Sequence, residues 1–157
     1  MRFLPGDVVA TDVERKCPER NLEYLLTRGS VLMQPGDAIR ALTREFVDGF
    51  NSADVDRMMR PYATLYVDVN LPRPVQTLAE RAAYYRNIVA RRDRRIEVTP
   101  EEIVVDGAHA VVRGSILLFK IDGSGVSRLD RELRYMELWE NHDGWKSIWG
   151  IDAEIHE

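Results

Sequence analysis

The chain has 157 residues, 45% of them hydrophobic and 31% charged, with a formal net charge of −4. That length fits one domain with a proper core, and the acidic balance argues against a nucleic-acid binder, whose footprint is basic. No apolar run approaches the ~18 residues of a membrane span. Cys17 stands alone, which rules out an internal disulfide and points to a reducing cytoplasm.

The first residues, MRFLPGDVV, have neither the apolar core nor the small-residue cleavage site of a signal peptide. Residues 1–34 read as an extension that packs on the domain or on a partner subunit, with a short helix over Asn21–Arg28 stopped by Gly29. The domain proper is expected over 35–157. Pro35-Gly36-Asp37 punctuates the chain, and Asp37 is a candidate helix cap. Ile39, Leu42, Phe46 and Phe50 fall at helical spacing through Asp37–Phe50. Asn51-Ser52-Ala53-Asp54 then breaks and recaps. Val55, Met58, Met59 and Tyr62 line a second, short helix that Pro61 helps to end. Leu65–Asn70 alternates as a strand, and Pro72 and Pro74 force a loop after it. Thr77-Leu78-Ala79-Glu80 is a capping box opening a third helix that ends in the cationic run Arg91–Arg95.

Four long strand patterns follow: Ile96–Val105, Ala108–Ile121, Leu129–Glu140 and Trp145–Ile155. Asp106-Gly107, Asp122–Gly125 and Asp143-Gly144 separate them, which is hairpin chemistry and makes the strands antiparallel neighbours. The fold class is α+β: a curved antiparallel sheet packed on three helices, forming a cone that encloses a pocket.

Phe46-Val47-Asp48-Gly49-Phe50-Asn51-Ser52-Ala53-Asp54-Val55-Asp56 resembles the helix–turn–helix of the nuclear transport factor 2-like superfamily. Its SnoaL-like and ketosteroid-isomerase-like members are the nearest in character. Tyr62-Ala63, Tyr84-Tyr85, and Asp143-Gly144-Trp145-Lys146 followed by Trp149 and Ile151 carry the likeness on, so that it covers about residues 36–155. It implies a cystatin-like α+β roll, a cone-shaped barrel and a homodimer packed through the sheet. The fold hosts isomerases, dehydratases, cyclases, epoxide hydrolases and non-catalytic modules, so it does not settle an activity.

The resemblance also locates two catalytic sets. The ketosteroid isomerase base falls at Asn70, which cannot take a proton, and the phenol of that oxyanion hole falls at Phe46, which has no hydroxyl. Against the epoxide hydrolases of the superfamily, Tyr66 and Arg113 match. Asp68 stands where an asparagine is expected, Ser115 where an aspartate is, and Asp152 matches the last carboxylate loosely.

Read from the residues themselves, Asp68 is the first candidate for a general base, because a carboxylate in an apolar cone has its pKa raised toward the working pH. Asp152 shares that reading. Ala108–Ile121 is largely apolar on both faces, so both are expected to be covered, one by the helices and one by a partner or the extension, and Arg113 in its middle needs an acidic or carbonyl partner. That partner is Asp68, Glu137 or Asp152 if the pair is structural; otherwise Arg113, with Tyr66, stabilises charge developing on a substrate. The candidate pocket is Phe46, Phe50, Tyr62, Asn70, Tyr85, Ser115, Tyr135, Trp139 and Trp149, a supply of aromatic wall suited to a planar or polycyclic, polyketide- or terpenoid-like ligand. His109, His142 and His156 are far apart and make no metal set with Cys17. No Gly-rich phosphate loop or dinucleotide fingerprint appears, so no cofactor is expected.

Two readings result. One is a cofactor-free acid–base enzyme acting on a small hydrophobic molecule. The other is a non-catalytic ligand-binding or dimerisation module of the same fold.

Overall fold

The computed structural model describes residues 34–155. The expected extension, with its helix at Asn21–Arg28, lies outside the described residues except for Gln34. Helix α1 spans Pro35–Ser52, α2 Val55–Met59 and α3 Leu78–Val89; the strands are β1 (Tyr62–Asp68), β2 (Val75–Thr77), β3 (Arg94–Asp106), β4 (His109–Ile121), β5 (Ser127–Asn141) and β6 (Trp145–Glu154).

Local chemistry sets most of these boundaries. Pro35 occupies the first helical position of α1, where a missing N–H costs nothing. Asp37 therefore sits inside the first turn and favours the helix dipole instead of capping it, a correction to the expected start. Ala53 closes α1 in the left-handed conformation, its N–H donating to the Phe50 carbonyl at 3.2 Å. One residue on, the Asp54 carboxylate accepts from the Arg57 N–H at 3.0 Å and starts α2. The capping box at α3 is complete: Thr77 Oγ1 accepts from the Glu80 N–H, and Glu80 Oε2 accepts from the Thr77 N–H at 2.8 Å. The prolines at 72 and 74 do loop the chain, but β2 then forms and pairs with β1, a short strand the sequence pattern did not announce.

The sheet has six strands in the order β2-β1-β6-β5-β4-β3. All neighbours are antiparallel except β1 and β6, so the sheet is mixed, and it stays open, with β2 and β3 at its edges. The expected α+β roll of a curved sheet on three helices is thus present, with one parallel pair and an open edge as the departures from an antiparallel barrel. Register slips at Pro100/Glu102, Leu118/Phe119 and Leu138/Trp139 curl it, as bulges do. Pro100 is tolerated because β3 is an edge strand and the proline lies at its bulge.

The helices cover one face. Phe50, Val55, Met58, Met59, Tyr62, Tyr66, Ala82, Val89 and Ile96 form one buried cluster; Ile39, Ala110, Val112, Tyr135, Trp139 and Trp145 form a second. Each fully buried aliphatic side chain contributes roughly 1.5–3 kcal/mol. Asn51 pins α1 to β3: its amide donates to the Ile96 carbonyl at 3.0 Å and accepts from the Ile96 N–H at 2.9 Å. The opposite face of β4, with Val111 and Arg113, is exposed among the described residues, and it is the face whose expected cover is a partner or the extension.

Candidate functional site

A cavity of about 100 Å³ opens between the two core clusters. Its walls come from α1 (Thr43, Phe46), β1 (Tyr62, Tyr66, Asp68), α3 (Arg81, Tyr85), β5 (Tyr135, Glu137, Trp139) and β6 (Gly150, Asp152), among others. Two glycines make this arrangement possible. A Cβ at Gly150 would collide with the Tyr66 hydroxyl, and one at Gly114 would strike the Thr99 carbonyl and crowd the Tyr135 ring.

Arg81 is the centre of charge. Its side chain is only 4% exposed, yet it carries a guanidinium that cannot shed its proton. The fold surrounds it instead. Nη1 lies 3.1 Å from Asp68 Oδ2 and 3.3 Å from Gln76 Oε1, and Nη2 donates to the Tyr85 hydroxyl at 3.3 Å. The guanidinium carbon sits 4.1 Å from the Tyr62 ring centre and 3.9 Å from that of Tyr66, which is cation–π distance on both. Only Nε is left without a partner.

Glu137 is the group the arrangement leaves reactive. Burial pushes its carboxyl up to about 7; the Trp139 N–H and Arg81 pull it down, and Asp68 pushes it further up. The Trp139 Nε1–H donates to Oε2 at 3.0 Å, and the Ser147 hydroxyl also pulls the carboxyl down. Asp152 is also raised, by burial first and by Asp68 second. Burial raises the phenols of Tyr62, Tyr66, Tyr85 and Tyr135, which keeps them neutral donors. The Tyr135 hydroxyl is buried without a partner among the described residues. Among the described residues, no three His, Cys, Asp or Glu side chains converge as a metal site.

Of the sequence candidates, Tyr66, Asp68 and Asp152 line the cavity, as do Phe46, Tyr62, Tyr85, Tyr135 and Trp139. Arg113 does not. It lies on the opposite face of β4, 68% exposed, paired with Glu102 on the edge strand rather than with Asp68, Glu137 or Asp152. Ser115 shares that face by the two-residue period of the strand and is likewise outside. Phe50 belongs to the first core cluster, next to the cavity but not on its wall. Asn70 stands outside too, yet orders two of the acids: its N–H donates to Asp68 Oδ1 at 3.2 Å and its amide to the Asp152 carbonyl at 2.6 Å. Trp149 is displaced by a register slip. Leu138 pairs with Trp149 but Trp139 pairs with Ser147, so the inward parity of β6 passes from Ser147 to Gly150 and Asp152.

Two residues of the site were passed over as candidates: Arg81 and Glu137. A signal existed for each. Glu137 lies two residues from Tyr135 and two from Trp139, an acid in an aromatic row on one strand face. Arg81 shares a helix stripe with Tyr85 and Ile88, four and seven residues on.

A family model for the SnoaL-like domain matches residues 43–148. The chain belongs to the SnoaL-like family. Solved structures agree on the fold. A nuclear transport factor 2-like protein with a cystatin-like fold from Novosphingobium aromaticivorans is 18% identical with a TM-score of 0.65, over 77% of this chain and 82% of that one. A candidate dehydratase of the same superfamily from Streptomyces avermitilis is 15% identical at a TM-score of 0.62, over 78% and 97% of the two chains. A ketosteroid isomerase-like protein from Erwinia carotovora atroseptica is 17% identical at 0.59, over 76% and 95%. No curated protein matches the sequence. In this SnoaL-like chain, no helix among the described residues is long and apolar enough to cross a membrane.

Proposed function

We propose that the cavity is the active site of a cofactor-free enzyme that moves a proton on a small, partly apolar molecule, with Glu137 as general base and acid. The observation that carries the reading is the carboxyl of Glu137, buried on the cavity wall with no ion-pair partner among the described residues and held at about 7. A group near the working pH both accepts and returns a proton efficiently. Asp68, the base expected from sequence, is engaged by Arg81 at 3.1 Å and serves as its counter-ion.

The reaction class that suits one such carboxyl is abstraction of a proton beside a carbonyl, leading to isomerisation or to loss of water. The names of the Erwinia and Streptomyces neighbours are compatible with this class. Size narrows the substrate. A cavity near 150 Å³ holds benzene, so about 100 Å³ suits a molecule no larger, not the polycyclic ligand expected from the aromatic count. The same reading makes the chain a homodimer through the sheet face away from the helices, where Val111, Leu129 and Met136 are exposed.

The test is carbon–hydrogen exchange in D2O, followed by NMR over a panel of small ketones, aldehydes and hydroxy-carbonyl compounds. The wild type should exchange protons of at least one compound, and Glu137→Gln should lose that exchange while keeping its fold. Exchange that survives Glu137→Gln and disappears in Asp68→Asn would sink the assignment.

A further inference from the structure

The cavity is unbalanced in charge, and the imbalance specifies a ligand. Asp68, Glu137 and Asp152 line it, and Arg81 is the one basic residue on its wall among the described residues. Arg81 and Asp68 cancel within their ion pair, and the guanidinium has only Nε unused. A ligand carboxylate would therefore meet two further acids and no free cation. A ligand cation would meet two carboxyls that form no ion pair with a Lys or Arg among the described residues.

Position adds a third acceptor. Tyr135 lies directly opposite Asp152 on the neighbouring strand, and Glu137 is two residues further along the same face of β5. Side chains opposite each other start about 5 Å apart, and those two apart on one strand about 7 Å apart. Tyr135 is 8% exposed and its hydroxyl has no partner among the described residues. The wall between these groups is apolar and aromatic, including Phe46 and Trp139, which suits the rest of a small ligand.

We propose that this site takes a small primary amine in its protonated form, its three N–H groups shared among Asp152, Glu137 and the Tyr135 oxygen. The inference rests on the cavity being the substrate site. An ammonium has three donors and no acceptor, which fits three acceptors and no free donor cation. The charge set also keeps anionic molecules of the same size out.

The experiment is an NMR titration of the full ¹⁵N-labelled chain at neutral pH with three probes of equal shape: isobutylamine, isobutanol and isobutyrate. The Trp139 indole N–H, bonded to Glu137, reports occupancy. Isobutylamine should bind about tenfold or more tightly than isobutanol, the effect of one opposite charge within a few ångströms. Isobutyrate should leave the Trp139 signal unmoved, and Asp152→Asn should erase the amine's advantage over the alcohol. If isobutanol or isobutyrate binds as tightly as the amine, the amine assignment falls while the cavity remains a substrate site. If no probe moves Trp139, both fall.

Discussion

Replacing Glu137 by Gln should make the protein more stable at alkaline pH while removing its chemistry. The side chains are nearly isosteric, and the Trp139 N–H that reaches the carboxylate at 3.0 Å can donate to the Gln carbonyl instead. What changes is the cost of charge. The Glu137 carboxyl is raised from 4.5 to about 7, with burial the largest cause. A carboxyl raised on folding contributes stability that is fully present below the unfolded value, near 4.5, and lost as pH climbs through the folded value, near 7. The whole shift is worth about 3 kcal/mol, of which about 2.5 kcal/mol falls between roughly pH 5 and pH 8. Urea unfolding of the wild type and Glu137→Gln at those two pH values isolates this one group, since every other titration is common to both. The stability gap in favour of Gln should widen by about that amount, a shift of roughly 1–2 M in midpoint at the usual urea slope. A gap that stays constant with pH, or a Gln variant weaker at alkaline pH, would show that Glu137 is not a buried, unpaired acid. The proton-transfer reading would go with it.

Breaking the Arg81–Asp68 pair with Arg81→Met leaves a carboxylate in the core and should cost roughly 3–5 kcal/mol, measured by urea unfolding; adding Asp68→Asn to that variant should recover part of the loss. Gly150→Ala places a methyl group against the Tyr66 hydroxyl, an overpacking cost of roughly 1–3 kcal/mol, and Tyr66→Phe should restore part of it. Arg113→Ala loses the pair with Glu102 on the face away from the cavity, so probe binding should not change. Met136→Glu on the exposed sheet face should convert a dimer to a monomer in light scattering, and an unchanged mass would refute the proposed interface.

The fold was legible because its signals are local. Helical spacing at Ile39, Phe46 and Phe50, the Thr77–Glu80 box and three glycine turns each act within a few residues, and each element appears close to its place. What failed to read through is what depends on register and on neighbours far along the chain. Trp149 belonged on the inner face by simple alternation, and one slip between Leu138 and Trp139 turned it out. The apolar text of β4 points Arg113 to one of the inner acids, whereas the residue sits on the face away from the cavity and pairs with Glu102 across the edge strand. The parallel pairing of β1 with β6 brings residues over 80 positions apart together, as with Asp68 and Gly150, and no local motif encodes it. That pairing is also what brings Asp68 and Asp152 to one cavity.

Arg81 and Glu137 were harder to see for a physical reason. Each is a charged residue in an apolar pattern, and pattern reading treats such a residue as tolerated on the edge of a stripe. The structure separates the two by how completely each is answered. The guanidinium of Arg81 has an anion and two other acceptors at 3.1–3.3 Å and a tyrosine ring within about 4 Å on two sides, which is the mark of a residue held for position. Glu137 has only neutral donors, the Trp139 N–H at 3.0 Å and the Ser147 hydroxyl, and no ion-pair partner among the described residues. Its environment stabilises the neutral acid only because burial penalises the anion, and Asp68 adds to that penalty while Arg81 reduces it. The ion pair thus does more than brace β1 against α3. As a near-neutral unit it supplies a packed wall without supplying the free cation that would lock Glu137 in its ionised form. A carboxyl kept from ionising by its surroundings, beside a cavity and not paired to a base, is free to exchange its proton with whatever enters.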